Sequence, residues 1–488
     1  MGIVANQTIK NTIITYIGFA IGAINTLFLY TNFLTPTYYG IVGYLLSSST
    51  ILMPILAFGT QNTLIKFFSF YKDQSQQNAF TGFVFLLPLL ICIPTAIIGC
   101  IGYGWIVDII ASKSNILQPY VWTIFVLALF MAYFELFYAW AKVHFKSVYG
   151  NLLKEVYHRV MVMVLLLGVS FDFIEVHLFI YLLMAVYGSR MVLMAIAAIW
   201  IKKPTIEWYL PSNYKAVFNY SLLIILTGSV AAVLLDIDKV MLGQFKDIEN
   251  IAYYNVAVFM AVVIAVPARA MHQITYPITS KLLNSKSMGE LEILYKKSSI
   301  NLYLVAGLIF LLITLNVDAL YELLPPNYEQ AVMVVFLIGF AKVFDNLMGN
   351  NNAIIFNSDY YQMVLFFGVL LAGLTVGLNI IFIPIWGLNG AAFATLLSFL
   401  IYNSAKLIFV HRKLGIQPFT KATLSGTVVM AIIFMIFYWW DFDVHPVLSI
   451  LFKSFLIGFI FSLAVYTLNL SDDITAMINA IKMKYFKT

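Results

Sequence analysis

Four basic residues lie inside long apolar stretches of the chain, where a charge is costly. They are Arg159, Arg190, Arg269 and Lys342. An Arg or Lys at the centre of a bilayer costs at least about 2.5–3.5 kcal/mol, so each side chain needs a water-filled cavity or a partner. A guanidinium presents a planar fork of donors to oxyanions and stays charged when it is desolvated. The four residues therefore predict a site for an anionic ligand inside the membrane.

The two cations in the first half of the chain differ in their structural alternatives. Arg159 lies near one end of its apolar stretch, so its side chain could extend to the membrane surface instead of binding a ligand. Arg190 lies near the middle of its stretch, three residues after Tyr187, where reaching the surface is harder. Both interpretations stay open for Arg159, whereas the position of Arg190 favours an internal role.

The two cations in the second half also differ. Arg269 lies in the middle of its stretch, and Pro267 and Pro277 flank it. Proline removes a helix hydrogen bond and allows bending, which suits a charged site in a protein that changes shape. Lys342 is followed three residues later by Asp345, so a local neutralised pair is an equally good interpretation. We therefore regard Arg269 as the best candidate ligand of the four.

Three carboxylates and one histidine inside the apolar stretches are candidates for gating or ion coupling. Glu135, Asp236 and Asp238 are the carboxylates, and a carboxylate inside a membrane can carry a coupled proton. The alternative for each is a salt bridge, and Asp238 stands beside Lys239. His272 shares the stretch of Arg269 and is either a proton-sensing group or a histidine satisfied within the core.

Patterns typical of catalysis are missing from the sequence. It contains no Gly-rich nucleotide loop followed by Lys, no H-E-x-x-H pair and no nucleophile elbow. Cys92 and Cys100 share one apolar stretch and make no metal-ligand pattern. We therefore expect no catalytic residue, no metal site and no cofactor, and ATP could drive this chain only through a partner.

The elements that position these residues are about fourteen apolar stretches, each about 20 residues long and able to cross a bilayer. The 488 residues are 62% hydrophobic and only 10% charged, whereas soluble domains have about 25% charged residues. No connection is long enough for a soluble catalytic domain. The sequence predicts an all-α membrane protein with transmembrane helices near 12–34, 40–58, 80–105, 119–141, 152–171, 177–201, 215–236, 251–276, 299–323, 330–350, 361–384, 389–410, 422–440 and 447–469.

Basic residues gather at alternate connections, and acidic residues occupy the others. By the positive-inside rule, the basic connections and both termini face the cytoplasm. The net charge of +6 follows from these lysines and does not indicate a nucleic-acid partner. The cytoplasmic set includes Lys202, Lys203, Lys406, Lys482, Lys484 and Lys487, and the external set includes Asp441 and Asp443.

The spacing of the connections indicates an internal repeat. The two longest connections, 59–79 and 277–298, lie about six predicted helices apart, and transport folds are often built from such repeats with the binding site at the repeat interface. We therefore predict two pseudo-symmetric six-helix lobes and two further C-terminal helices. The predicted boundaries are 1–210 for the first lobe, 211–413 for the second, and 414–488 for the last two helices and a cytoplasmic tail.

Three short motifs occupy the ends of particular predicted helices. Residues 34–40 read LTPTYYG, residues 238–243 read DKVMLG and residues 384–392 read PIWGLNGAA. They are similar, in that order, to an L-x-P-x-x-Y/F-G link between helices 1 and 2, a D-K/R-apolar-apolar-apolar-G end of helix 7, and a P-x-x-G-x-x-G-A-A turn between helices 11 and 12. Over its whole length the sequence resembles the multidrug/oligosaccharidyl-lipid/polysaccharide exporter superfamily, and within it the polysaccharide flippases of the O-antigen type.

The resemblance implies a function in the synthesis of cell-surface polysaccharide. Such flippases move an undecaprenyl-pyrophosphate-linked oligosaccharide from the cytoplasmic to the outer leaflet of the bacterial inner membrane by alternating access. The four interior cations would then bind the pyrophosphate. The expected partners are the lipid-linked oligosaccharide, membrane lipids and a polysaccharide polymerase, and the chain would act as a monomer.

Two other functions stay open. A multidrug or metabolite antiporter of the same superfamily usually has twelve helices and an acidic cavity for cationic substrates, which the interior cations argue against. A membrane oligosaccharide polymerase or glycosyltransferase commonly carries a large external loop, and the external connections here are short.

Overall fold

The computed structural model describes residues 2–205, 207, 209–440, 442 and 444–485, and every regular element in them is helical. Within these helices the side chains of residues 2–6, 8, 9, 226–235 and 480–485 are not described. Part of the predicted topology rests on charges that the structure does not describe: Asp441, Asp443 and Lys487 lie outside the described residues, and the side chains of Lys482 and Lys484 are not described.

The chain forms two compact units, Met1–Asn255 and Val256–Thr488. Two π-helical segments, Asn25–Leu29 and Leu153–Tyr157, interrupt helices of the first unit. Its helices are α1 (Gly2–Ile24), α2 (Tyr30–Phe33), α3 (Pro36–Ala57), α4 (Thr60–Phe67), α5 (Gln74–Ile101), α6 (Tyr103–Ile110), α7 (Val121–Val143), α8 (Ser147–Leu152), α9 (His158–Ser170), α10 (Val176–Ile201) and α11 (Tyr214–Phe245), with the boundary inside α12 (Glu249–Val262).

The second unit begins within α12 and continues through a 3₁₀ turn, Val263–Ala265. Pro267 stands in the first turn of the helix that follows, where the lack of an N–H costs nothing. The helices of this unit are α13 (Val266–Asn284), α14 (Met288–Thr314), α15 (Val317–Glu322), α16 (Val332–Leu347), α17 (Asn351–Asn357), α18 (Met363–Leu414), α19 (Lys421–Tyr438), α20 (Pro446–Thr467) and α21 (Asp472–Tyr485).

Eleven helices in the described part of the chain are long and apolar enough to cross a membrane. The predicted class, an all-α membrane protein, is confirmed. The predicted spans 361–384 and 389–410 both fall in α18, which Gly387 divides with φ 56° and ψ −124°. A π-helical segment interrupts the predicted span 152–171, and the predicted span 215–236 lies in α11, where ten side chains are not described. The count of fourteen stays a prediction.

The first unit extends beyond the predicted boundary of the first lobe. Helix α11, the predicted first helix of the second lobe, packs against α3 and α4. In the second unit, the C-terminal helices α19 and α20 pack against α14 and against each other. The division into lobes 1–210 and 211–413 with an appended segment 414–488 rests on the repeat and stays a prediction.

Helix α3 has clear signals at both ends. Thr35 caps its start by accepting a hydrogen bond from the backbone N–H of Tyr38 at 3.5 Å, and Pro36 follows with its φ already suited to a helix. Phe58 and Gly59 end the helix with φ of 48° and 64°. This left-handed pair stops α3 and starts α4, because a residue with positive φ cannot continue a right-handed helix.

The connection between α10 and α11 is attached to the start of α5. The Glu207 carboxylate accepts hydrogen bonds from Ser75 Oγ at 3.0 Å and Asn78 Nδ2 at 3.1 Å. Thr205 donates to Asn78 Oδ1 at 2.9 Å, and the Ser212 N–H donates to Gln76 Oε1 at 3.0 Å. Hydrogen bonds from Asn78 and Ser75 lower the pKa of Glu207, because they favour its ionised form.

Candidate functional site

The last glycines of two of the three sequence motifs, Gly40 and Gly243, both lie in close contacts of the first unit. Gly40 lies so close to the backbone carbonyl of Ile248 that a Cβ there would sit 2.1 Å from the oxygen. A Cβ on Gly243 would lie 2.7 Å from a carbon of the Tyr44 ring. Beside it, Gln244 Nε2 donates to the Tyr44 hydroxyl at 2.7 Å. Both glycines are therefore required by close helix contact at the junction of α3 and α11.

The two aspartates of α11 have partners at this junction. Asp236 forms an ion pair with Lys239 at 3.0 Å and accepts a hydrogen bond from Ser47 Oγ at 2.9 Å. Asp238 is buried, and the Tyr254 hydroxyl donates to it at 2.8 Å. The carboxylates thus join α11 to α3 and α12, and a gating or coupling role for either stays a prediction.

Arg190 occupies an aromatic cage in the interior of the first unit. Only 7% of the residue is exposed, and its guanidinium carbon lies 4.3 Å from the Phe134 ring centroid and 4.7 Å from that of Tyr187. The carboxylates of Glu135 and Glu155 also act on it electrostatically. The aromatic rings and the carboxylates together offset the cost of burying this charge.

Arg159 lies across α1. A Cβ on Gly18 would be 2.9 Å from Nη1 of Arg159, and one on Gly22 would be 3.2 Å from its Nε. The guanidinium also donates to Glu155 at 3.4 Å, and Asn25 Nδ2 donates to the backbone carbonyl of Arg159 at 2.8 Å. The structure therefore places the side chain between helices of the first unit, whereas the sequence also allowed it to extend to the surface.

Glu135 forms an ion pair that joins two helical segments. Its carboxylate accepts from Lys154 Nζ at 2.6 Å, and only 18% of its side chain is exposed. Lys142, one turn after Tyr138 on the same helix, places its Nζ 3.9 Å from the Tyr138 ring centroid. The structure agrees with the salt-bridge alternative for Glu135, and its role in ion coupling stays a prediction.

The two π-helical segments both border Arg159, and sequence reasoning missed them. Leu153–Tyr157 ends two residues before Arg159, and Asn25–Leu29 supplies the amide that binds the arginine carbonyl. The first segment packs against α1, and the second packs against α9. Single π turns inside helices occur often at functional sites, because they aim side chains that a regular helix could not. Neither segment contains the Gly or Pro that would have marked it.

Arg269 lies on the exposed face of α13 in the second unit. Gln273, one turn later, and Lys281, further along the helix, are exposed as well, whereas Thr275 and Thr279 are buried. The guanidinium is therefore accessible from outside the unit, which a ligand-binding role requires. The structure shows which face carries the arginine, and ligand binding by it stays a prediction.

Lys342 and Asp345, which the sequence suggested as a pair, both have contacts with α18. Lys342 Nζ lies 4.3 Å from the Phe399 ring centroid, and Asp345 accepts a hydrogen bond from Asn403 Nδ2 at 3.1 Å. Both residues are half-buried. The pair thus connects α16 to α18.

A break between two helices of the second unit lies at the end of the predicted span 330–350. Helix α16 ends at Leu347, a turn follows, and α17 begins at Asn351. Gly349 in this turn has φ 54°, and a Cβ there would lie 2.7 Å from the backbone nitrogen of Ser299. Glycine is required because both the left-handed backbone and the contact with α14 exclude a side chain.

The asparagines at this break satisfy neighbouring helices. Asn350 donates to Thr279 Oγ1 at 2.8 Å and accepts from Ser298 Oγ at 3.2 Å. Asn351 donates to the Tyr295 hydroxyl at 2.5 Å. Both asparagines are at most 1% exposed. These amides connect the start of α17 to α13 and α14, which is the common use of polar residues between membrane helices.

Lys406 is the residue of the second unit that sequence reasoning placed wrongly, among the lysines at cytoplasmic helix ends. Only 2% of it is exposed. Its Nζ donates to Asn352 Oδ1 at 2.8 Å and lies 3.9 Å from the Tyr402 ring centroid. Asp345 acts electrostatically on Lys406, and both of them act on His272. Lys406 follows Tyr402 at the i+4 position, a spacing that could have indicated an interior cation–π pair.

The eight predicted residues thus fall into separate groups. In the first unit, Arg159 and Arg190 act on the same side chain, His158, and Glu135 belongs to their surroundings. Asp236 and Asp238 belong to the junction of α3 and α11. In the second unit His272, Asp345 and Lys406 interact electrostatically, and Lys342 lies one turn before Asp345. Arg269, the eighth residue, lies on α13 one turn before His272.

A family of known proteins matches the first part of the chain. Residues 4–283, more than half of the sequence, match the family described as polysaccharide biosynthesis protein. The chain belongs to this family. No curated protein sequence matches the chain.

Solved structures show which fold this polysaccharide biosynthesis protein adopts. The lipid II flippase MurJ in an inward closed conformation is 14% identical, with a TM-score of 0.73 over 94% of this chain and 99% of that one. An inward-facing multidrug resistance MATE family transporter of the MOP superfamily is 13% identical, with a TM-score of 0.63 over 82% of this chain and 94% of that one. The resemblance inferred from the sequence is confirmed at the level of the fold, which is similar to that of these two proteins, and the protein is a multi-pass membrane protein.

Proposed function

We propose that this protein flips an undecaprenyl-pyrophosphate-linked oligosaccharide from the cytoplasmic to the outer leaflet of the bacterial inner membrane, by alternating access. The observation that carries the proposal is the match of residues 4–283 to a polysaccharide biosynthesis family in a chain with a flippase fold. A lipid-linked sugar is the substrate class that joins polysaccharide synthesis to movement across a membrane.

The interior cations support an anionic headgroup. Arg159 and Arg190 supply positive charge inside the first unit, and Arg269 and Lys342 supply it in the second. A pyrophosphate carries at least two negative charges, and arginine binds phosphate oxygens with two donors at once. Arg269 is the favoured ligand because it is exposed on its helix face, whereas aromatic rings already hold the guanidinium of Arg190.

We also propose a topology, a set of partners and an oligomeric state for the protein. Basic residues at alternate connections favour cytoplasmic termini. The partners would be the lipid-linked oligosaccharide, the surrounding lipids and a polysaccharide polymerase that receives the flipped product. We propose a monomer, without a cofactor and without an enzymatic step of its own.

Replacement of Arg269 tests the site and the function together. We expect Arg269→Ala to reduce surface polysaccharide at least about tenfold, because a hydrogen bond to a charged group contributes about 1.5–3 kcal/mol. Arg269→Lys should keep part of the activity, since a point charge remains without the bidentate fork. Lys281→Ala is the matched control, because Lys281 is an exposed cation of the same helix. Its surface polysaccharide should stay near the wild-type level. Membrane levels of all three variants are measured by immunoblot.

Normal polysaccharide in Arg269→Ala would contradict the site assignment. The function itself is tested with purified protein in liposomes, where lipid-linked oligosaccharide should move between leaflets. Failure of this movement, together with export of an organic cation, would favour the second candidate, a multidrug or metabolite antiporter, with which the MATE-type fold is compatible. Polymer formation from lipid-linked repeats would instead favour a polymerase.

A further inference from the structure

Lys406 is a buried cation in the second unit. It is 2% exposed and is among the largest fully buried side chains of the described residues. An ammonium has three N–H donors, and the structure gives Lys406 Nζ one hydrogen bond, to Asn352 Oδ1 at 2.8 Å. The other described contact is the Tyr402 ring, 3.9 Å from Nζ to the centroid. Neither partner carries a negative charge.

The surroundings of Lys406 would accept either a charged or a neutral amine. Asn352 Oδ1 can accept a hydrogen bond from an amine as well as from an ammonium. Asp345 acts on Lys406 electrostatically, but its described hydrogen bond comes from Asn403 at 3.1 Å. A buried charge that is paired directly with a carboxylate is fixed, whereas a lysine held by neutral groups can release its proton.

Other titratable groups face this lysine from each neighbouring helix. Helix α13 contributes His272 and Tyr276, α16 contributes Lys342 and Asp345, α14 contributes Tyr295 through its bond to Asn351, and α18 itself contributes Tyr402. Only Lys342 among them adds positive charge close to α18. Of these groups, the carboxylate of Asp345 acts on Lys406 electrostatically, and Lys342 Nζ lies over the Phe399 ring of the same helix α18.

A route from Lys406 to the surface passes through its hydrogen-bond partner. Asn352 is exposed although its neighbours Asn351 and Ala353 are buried. Asn352 lies in the first turn of α17, directly after the break that Gly349 makes possible. A shift of this short helix would break the bond to Lys406 and change the access of water to Nζ.

We propose that Lys406 binds and releases the proton that couples transport to a proton gradient. The ammonium loses one proton to become a neutral amine and regains it in the next cycle, so no other reactant is needed. The Asn352 bond and the α17 turn control when this exchange occurs. The inference rests on the proposed flippase function, because it names the ion that drives it.

Transport in liposomes tests the coupling. With wild-type protein, a gradient of about one pH unit should change the leaflet distribution of lipid-linked oligosaccharide by up to about tenfold for one proton. Lys406→Met, which has a similar shape and no charge, and Lys406→Arg, which keeps its charge, should both lose this response. Lys413→Met is the matched control, because Lys413 lies on the same helix over a tyrosine ring, 5.7 Å from the Tyr360 centroid, but is exposed.

A substrate-free measurement keeps this inference separate from the flippase proposal. If Lys406 exchanges its proton in the folded protein, the difference in Tm between wild type and Lys406→Met should change between about pH 6 and about pH 9, since stability depends on pH when proton binding differs between states. The difference for Lys413→Met should stay constant. If the Tm difference between wild type and Lys406→Met is the same at both pH values, the inference is overturned, whether or not oligosaccharide moves. Oligosaccharide movement by the wild type that does not respond to the pH gradient would overturn it as well. Movement of another substrate that responds to the gradient only when Lys406 is present would retain the proton site and contradict the flippase proposal.

Discussion

The interiors of the two units hold their charges in different ways. In the first unit two partly buried lysines have carboxylate partners, Lys154 with Glu135 at 2.6 Å and Lys239 with Asp236 at 3.0 Å. In the second unit the buried Lys406 contacts an amide and an aromatic ring. Amides also fill the broken helix of that unit. The paired lysines of the first unit are therefore held in their charged state, whereas Lys406 in the second unit is the cation that we propose to change its charge.

This contrast separates two requirements of a membrane carrier. A site that recognises an anion benefits from cations that stay charged, which arginine provides. A site that exchanges an ion benefits from a group with two accessible states. The sequence distributes these residue types accordingly, with Arg159 and Arg190 in the first unit and Lys342 and Lys406 in the second, although Arg269 also lies in the second.

The contact between Arg159 and α1 gives the largest expected effect. Gly18→Ala should destabilise the protein by about 2–3 kcal/mol, because the new Cβ meets a backbone carbonyl that cannot move alone. That carbonyl belongs to Glu155 and would lie 2.4 Å from the Cβ. Gly22→Ala, one turn away, meets only the flexible Arg159 side chain at 3.2 Å and should change stability by less than about 1 kcal/mol. Equal effects in thermal or denaturant unfolding would show that the first unit is not held rigid here.

Two matched lysine replacements test the contrast between the units directly. Lys154→Met should cost about 1–2 kcal/mol, because it leaves the Glu135 carboxylate without its partner, with a discount for the exposure of Lys154. Lys406→Met should be neutral or stabilising near pH 7, since an apolar side chain of similar volume removes a buried charge without leaving a carboxylate unpaired. Unfolding of both variants in detergent provides the measurement. A larger loss in Lys406→Met than in Lys154→Met would reverse the comparison.

The exposed connection 202–213 gives the smallest effect and shows how a surface charge differs from the interior ones. Hydrogen bonds from Asn78 and Ser75 lower the pKa of Glu207 in the folded protein. A lowered folded pKa gives stabilisation above the unfolded pKa that is lost as the pH falls through the folded value. Hydrogen-exchange protection of this connection, corrected for the intrinsic exchange rate at each pH, should therefore fall on acidification, and Asn78→Ala should lower the protection already at neutral pH. If the exchange rate of the connection is unchanged in Asn78→Ala, the hydrogen bond from Asn78 to Glu207 does not stabilise the connection.

Sequence reasoning predicted the features that depend on composition and on close contact. The fold class followed from the apolar stretches, and the motif glycines Gly40 and Gly243 mark positions where helices touch. The interior position of Arg190 followed from its distance to either end of its stretch. These predictions succeeded because hydrophobicity and the absence of a side chain are both visible in a sequence.

Other features depend on helix rotation and were not visible. Lys406 lies near the end of an apolar stretch, where lysines usually reach the surface, but the turn of α18 directs it inward. Arg159 also lies near an end, but a π-helical segment sets its direction. Gly349 could have marked the break between α16 and α17, since Gly followed by three asparagines is a poor helix sequence.

The π-helical segment Leu153–Tyr157 has a consequence for how this protein can change in evolution. A π turn holds one residue more than a regular turn, so the extra residue is absorbed locally. Deletion of a single residue within this segment would therefore restore an ordinary helix and leave Arg159, two residues later, facing α1. The same deletion in a regular stretch of helix would rotate everything beyond it by about 100°. This segment can thus lose one codon without redirecting the charge that follows it.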